Sequence, residues 1–289
     1  MKKPVFSGVC TALVTPFFED KVNYPLVEQL LRYQMDAGIK AITLAGTTGE
    51  SPTLTDEEKT ELFRRGKAFT GNRCKIIAGT GSNSTKHSVE LSIAAEESGA
   101  DGLLVVSPYY NKANPDGLIR HYQAIAEAVN IPIILYNVPT RTGVDIPVTV
   151  YRELSVLPNI NGVKEACTDI HKIAKIRASC PKDFYIWSGN DDQIVPVISL
   201  GGHGVISVLS NLCPADTIAI TECALDGDFD SAGALQCAVL PLIELLFAEV
   251  SPIPVKYAMR YAGFDCGPCR LPLGPLSSDI RKRIDQYFA

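Results

Sequence analysis

Eight short apolar runs recur along the chain, each followed by a stretch with helical spacing. They are "GVCTALVTPF" (8–17), "AITLAG" (41–46), "KIIAGTG" (75–81), "DGLLVVSPYY" (101–110), "IPIILYNVP" (131–139), "INGVKEA" (160–166), "FYIWSGN" (184–190) and "GVISVLSN" (204–211). Runs that are apolar on both faces read as parallel strands buried on both sides. The intervening helices carry recognisable ends: Asn23 with Pro25 opens one that Gly38 closes, and Thr55 with Glu58 forms a capping box before the next. Eight such units are the count for a closed (β/α)8 barrel of the TIM type. A doubly wound open sheet is the runner-up, but the G-x-G-x-x-G turn it usually carries after the first strand is missing. From about residue 225 onward three more helical patterns appear, in 230–250, 253–263 and 278–289. The expected organisation is therefore a catalytic barrel over 1–224 and a helical extension over 225–289 packed on it, with no linker long or polar enough to separate them.

Composition narrows the function. The 289 residues carry a net charge of −5 and no basic run, which leaves nucleic-acid and anionic-membrane binding without support. No apolar run approaches the roughly 18 residues of a membrane span, and the amino terminus shows no long apolar leader, so a cytoplasmic enzyme is expected. The histidines (His87, His121, His171, His203) share no ligand spacing, and no metal or other cofactor is expected. Nine scattered cysteines have no framework spacing and read mostly as small buried hydrophobes. "CGPC" (266–269) could be a redox dithiol, but it precedes a proline-broken loop where such a pair needs a helix N-terminus, which favours two structural thiols in a turn.

In a barrel of this kind, catalytic groups come from the C-terminal ends of the strands and the loops after them. Those ends offer Thr15, "GTTGES" (46–51), "GTGSNS" (79–84), Tyr109 and Tyr110, "YNVPTRTG" (136–143), Lys164, "SGNDD" (188–192) and "SVLSN" (207–211). Lys164 is the only lysine near such an end. Glu165 points to the opposite face and cannot neutralise it there. Desolvation favours the neutral amine, a nucleophile toward carbonyls that can form a Schiff base. The competing reading is a lysine that snorkels or pairs with Asp191 or Asp192. "GTTGES" lacks the ending of a nucleotide-binding loop and suits a small carboxylate, with a plain glycine turn as the alternative. "GGHGV" (201–205) reads as a glycine turn rather than a phosphate loop. Proton transfer falls to hydroxyls and tyrosines, and Arg141, with no acid nearby in sequence, suits a carboxylate.

Taken together, "GTTGES", "YNVPTRTG", "GVKEA", "GGHGVISV", "SPIPVK" (251–256) and "RLPLGPL" (270–276) resemble the pyruvate-dependent, Schiff-base class I aldolases of the N-acetylneuraminate lyase and dihydrodipicolinate synthase superfamily, from about residue 6 to 280. The resemblance implies a lyase in which Lys164 forms the imine with pyruvate. Thr48 and the backbone of Ile206 would hold the pyruvate carboxylate, and Tyr136, Thr47 and Tyr110 would relay protons. Tyr110 would reach across a subunit interface, making the protein a homo-oligomer, commonly a dimer of dimers. Arg141, with Gly189 shaping that side, implies aspartate-4-semialdehyde as the second substrate, on the route to diaminopimelate and lysine. A neuraminate, keto-deoxy-sugar-acid or hydroxy-oxoglutarate aldolase is the alternative within the superfamily; a barrel that has lost its chemistry and a thiol oxidoreductase are the alternatives outside it. Residues matching a lysine-inhibition site are Ser51, Asn83 and Tyr109, but Lys59 and His87 replace a histidine and a glutamate of inhibited members. Loss of an acid and gain of a cation should make lysine a poor inhibitor.

Overall fold

The computed structural model describes residues 1–289. Its eight barrel strands are β1 (Gly8–Ala12), β2 (Ala41–Leu44), β3 (Lys75–Gly79), β4 (Gly102–Val106), β5 (Ile133–Asn137), β6 (Ile160–Glu165), β7 (Tyr185–Ser188) and β8 (Gly204–Ser207). All are parallel, neighbours in sequence are neighbours in space, and β8 pairs back onto β1 (Val9 opposite Val205) to close the barrel. The expected (β/α)8 architecture is thus the observed one. Each strand stops short of its apolar run, and Thr15, Tyr109, Tyr110 and the other terminal residues lie in the loops that follow.

Around the barrel lie α1 (Tyr24–Asp36), α2 (Asp56–Thr70), α3 (Thr85–Glu97), α4 (Pro115–Ala128), α5 (Val148–Leu154), α6 (Ile170–Ser179), α7 (Ile194–Ser199) and α8 (Pro214–Leu225). Local chemistry sets their starts: Asn23 caps α1, and Thr55 and Glu58 bond reciprocally at the start of α2. The core has two shells. Phe6, Cys10, Ile77, Ile134, Trp187 and Ile206 fill the barrel interior, while a larger cluster packs between strands and helices. Phe6 stacks on Trp187 at 4.9 Å and plugs the interior from below.

The extension comprises α9 (Phe229–Leu246), α10 (Ile253–Ala258) and α11 (Ser278–Tyr287). Helix α9 departs from the expectation that no segment reaches membrane length, with a mean hydropathy of 1.4 over 18 residues. Interspersed Asp230, Gln236 and Glu244 break its apolar run in sequence, and in the fold it packs against α8, burying Ala232, Leu242, Ile243 and Leu246. A two-residue hairpin, Phe17–Phe18 against Lys21–Val22, follows β1 and had no signal in the alternation.

Candidate active site

On β6 the side chains alternate as a strand demands: Ala166 joins the interior cluster and Val163 the outer one, so Lys164 points inward and Glu165 outward. Lys164 is only 5% exposed, yet its amine makes no hydrogen bond and no ion pair. Its Nζ lies 4.4 Å from the centroid of the Tyr136 ring. Strand register produces this meeting, because Tyr136 on β5 is directly opposite Lys164 on β6. Lys164 makes no direct ion pair: Asp191, though near enough to feel its charge, has Oδ2 accepting from the Val208 and Leu209 amides at 3.0 and 2.8 Å, and Asp192 is exposed. Burial also rules out snorkelling. With no hydrogen-bonding partner, the nitrogen is left free to meet a carbonyl carbon.

Glu165 has the opposite surroundings. Its carboxylate accepts from Asn137 Nδ2 at 2.6 Å, the Tyr151 hydroxyl at 2.9 Å and the Cys167 amide at 3.1 Å. Lys172, itself bonded to Asp145, stands 3.5 Å away. Burial raises the Glu165 pKa against the pull of these partners, and burial followed by Glu165 itself raises that of Tyr151.

At the end of β2 the chain turns sharply through the loop carrying Thr47 and Thr48, with Ala45 and Glu50 both in the left-handed region (φ 51° and 57°). Gly79 lets this turn approach β3, since a Cβ there would sit 2.2 Å from the Ala45 carbonyl oxygen. Thr15 Oγ1 donates to the Gly49 carbonyl at 2.7 Å and steadies the loop from the β1 side. The loop forms one wall of a cavity of about 400 Å³, which is also lined by Thr47, Ser51, Asp56, Lys59, His87, Tyr109, Tyr136 and Arg141. Arg141 sits in the single helical turn Pro139–Thr142, exposed, with one guanidinium nitrogen 3.1 Å from the Ser251 carbonyl and no acid partner. A larger hollow at the opposite end, lined by Lys2, Lys3 and Asn159, has few apolar walls. It lies at the face that serves stability, and Lys2 Nζ there caps the carbonyls of Ser155 and Ile160.

The expected site residues fall into three groups. Thr47, Tyr136 and Arg141 line the cavity together with Ser51, Tyr109, Lys59 and His87. Lys164 is reached through the Tyr136 ring and is not itself in the wall, and neither are Thr48 (4% exposed), Ile206 (fully buried) or Gly189. Gly189 is needed for close packing, as a Cβ there would lie 2.5 Å from that of Ala166. Asn83 and Tyr110 stand outside the wall: the Asn83 carbonyl accepts from Asn111, and Tyr110 is 90% exposed at φ 71°.

Asp56 was not foreseen, because an acid in the first turn of a helix ordinarily serves only the helix dipole. Its carboxylate receives His87 Nε2 at 2.9 Å and lies 3.8 Å from Lys59 Nζ. Burial lowers the Lys59 pKa, with Asp56 opposing. "GGHGV" turns at Gly201 (φ 87°) and enters β8 at Gly204, where a Cβ would clash with the Gly8 carbonyl, and burial pushes Cys266 and Cys269 up to about 12, far from thiolate chemistry at neutral pH. No group of three or more His, Cys, Asp or Glu is placed to hold a metal ion.

Comparison with known proteins adds to this geometry. The family model described as the dihydrodipicolinate synthetase family matches residues 5–288. The 4-hydroxy-tetrahydrodipicolinate synthase of Caldicellulosiruptor saccharolyticus is 49% identical over 280 residues, 96% of this chain and 95% of that one. Among solved structures, the Cyanidioschyzon merolae dihydrodipicolinate synthase with lysine bound superposes with a TM-score of 0.95 at 40% identity, covering 98% of this chain and 97% of that one. The chloride-inhibited Acinetobacter baumannii enzyme complexed with pyruvate gives 0.94 at 38% identity, covering 97% of each.

Proposed function

The chain belongs to the dihydrodipicolinate synthetase family, and from that membership we propose how its residues divide the work. The activity is that of a lyase, 4-hydroxy-tetrahydrodipicolinate synthesis from pyruvate and L-aspartate-4-semialdehyde on the route to diaminopimelate and lysine. The sugar-acid aldolase alternative finds no support among these relatives. The reading of the site rests on one observation, a buried amine with no partner beside a tyrosine at the barrel mouth.

In this reading the neutral Lys164 nitrogen attacks the ketone carbon of pyruvate, and the ketone oxygen leaves as water to give the imine. The imine draws off electrons, the methyl group gives up a proton, and the resulting enamine carbon bonds to the aldehyde carbon of the semialdehyde. The aldehyde oxygen takes a proton and becomes a hydroxyl, with Tyr136, Thr47 and Tyr110 relaying it. The amine of the semialdehyde then displaces Lys164 from the imine carbon, closing the ring and freeing the lysine. Thr48, with the backbone near Ile206, holds the pyruvate carboxylate. Arg141, which has no acid partner, holds that of the semialdehyde, with Gly189 shaping that side through its close packing.

Tyr110 reaches this relay from a second subunit, for which its 90% exposure is the support. The working form is then at least a dimer, with a dimer of dimers and a cytoplasmic location as the fuller assignment; a fully active monomer in sedimentation would contradict it. Residues 1–224 carry the chemistry and 225–289 brace it. Lysine inhibits poorly, because Lys59 and His87 already occupy Asp56, the one acid in that end of the cavity. Titrating lysine against the initial rate checks this, and inhibition at sub-millimolar lysine would overturn it.

Steady-state kinetics test the substrate assignment. Losing a charge-assisted contact worth about 1.5–3 kcal/mol, Arg141→Ala should lower kcat/KM for the semialdehyde roughly 10- to 100-fold and leave imine formation with pyruvate near normal. Equal damage to both substrates, or turnover of sugar aldehydes by the unmodified protein, would count against it.

A further inference from the structure

Three sequence motifs have no part in the reaction described above: "SPIPVK", "CGPC" and "RLPLGPL", all in the extension. They converge on Glu50. One oxygen of its carboxylate accepts from Lys256 Nζ at 2.7 Å and the other from the Arg270 amide at 2.9 Å. Lys256 also donates to the Pro268 carbonyl at 2.9 Å. Both side chains are almost sealed from water, at 2% and 0% exposure. Beneath them, the Phe17 ring of the hairpin carries Lys256 Nζ at 4.4 Å and the Arg270 guanidinium at 4.3 Å on its faces. Arg270 closes the arrangement with a bidentate bond to Glu58, both contacts 2.7 Å, and a third to the Thr53 carbonyl at 2.8 Å.

Glu50 is the residue that ends the loop bearing Thr47 and Thr48. Its amide donates to the Thr47 carbonyl at 3.1 Å, and its backbone is left-handed, a conformation that a non-glycine residue keeps only when its surroundings enforce it. A buried ion pair is a poor source of net stability, since desolvation offsets most of the attraction; its attested use is to select one arrangement. We infer that Lys256 and Glu50 form a positioning pair, through which the C-terminal extension fixes the conformation of the Thr47–Thr48 loop for catalysis. The catalytic consequence rests on the roles assigned above to Thr47 and Thr48; the effect on loop conformation does not. The extension meets the other side of the mouth as well, where the Ser251 carbonyl holds Arg141.

The test compares the unmodified protein with Lys256→Met, Glu50→Gln and the double variant, each checked for folding by near-ultraviolet circular dichroism. Removing one charge from a buried pair is the harsher change; Glu50→Gln preserves shape, and the double variant leaves no lone buried charge. For folded variants, the rate of borohydride-trapped pyruvate adduct formation should fall about 100-fold, the cost of a displacement near 1 Å in a reacting group's support. Amide hydrogen exchange over residues 46–51 should quicken, while the barrel strands keep their protection. The double variant should recover thermal stability without recovering the rate. A folded variant that traps pyruvate at the normal rate with unchanged exchange in 46–51 would overturn the inference. If the unmodified protein forms no adduct, the proposed chemistry fails instead, and the exchange comparison still decides the positioning role.

Discussion

Lys164 and Glu165 are consecutive in the chain and sit in contrasting environments. One faces the barrel interior with no partner; the other faces outward and satisfies Asn137, Tyr151 and Cys167 at once. The contrast follows from the two-residue period of a strand. It also ties the two faces together: Asn137 and Glu165, bonded on the outside, immediately follow Tyr136 and Lys164, which meet on the inside. Removing Glu165 should therefore be expensive. Glu165→Ala strands the Tyr151 hydroxyl and part of Lys172 in a buried setting, and should destabilise the fold by about 3 kcal/mol. Urea unfolding measures this, and a loss below about 1 kcal/mol would show that the network contributes little beyond its packing. At this scale Lys164 was legible in the sequence because a lone lysine at a strand end is conspicuous. Asp56 was not, because its partners Lys59 and His87 lie on two different helices and a first-turn acid already has an ordinary explanation.

Strands and helices were easy to place because each is punctuated locally, by glycine, proline or a capping residue. What escaped notice was set by distant residues. The hairpin at Phe17–Val22 has only two residues per strand, too few to show a period, and the Phe17 amide bonds to the Cys266 carbonyl far along the chain. Likewise the "GTTGES" loop read as a self-contained turn, although its Glu50 depends on residues more than 200 positions away. Packing between α3 and α4 supplies a pH-dependent contact of the same non-local kind. His121 on α4 bonds to Thr85 on α3 through Nδ1 at 3.0 Å, its Nε2 is buried without a partner, and burial lowers its pKa from 6.5 to about 4. In the window between those values the unfolded chain binds the proton more readily than the folded one. Stability from this contact is therefore complete above pH 6.5 and falls as the pH drops toward 4. From pH 7 to pH 5 the loss should be about 2 kcal/mol, and His121→Gln should flatten that slope. Urea midpoints at the two pH values read it directly; an unchanged slope in the variant would remove His121 from the account.

For the whole molecule, a closed barrel has one consequence that no single element has. It gathers the ends of eight strands around one mouth, so residues from Thr47 to Arg141 share a single cavity. The interior below is filled by Phe6, Ile134, Trp187 and Ile206, so the barrel opens to solvent only at its mouth above them. The extension leans on the same mouth through Lys256 and Ser251, while Tyr110, almost fully exposed, is not part of the cavity wall. The barrel topology was readable because eight repeats admit few alternatives; the way the extension grips the mouth was not, because it consists of side-chain contacts between the two ends of the chain. Catalysis in this reading requires the Lys164 amine to be accessible to a keto acid. Incubation with pyruvate and borohydride, followed by mass mapping of the digested protein, tests this most directly. One reduced pyruvate adduct per chain is expected on the peptide containing Lys164, and none in Lys164→Ala; an unmodified Lys164, or an adduct on a different lysine, would contradict the imine chemistry.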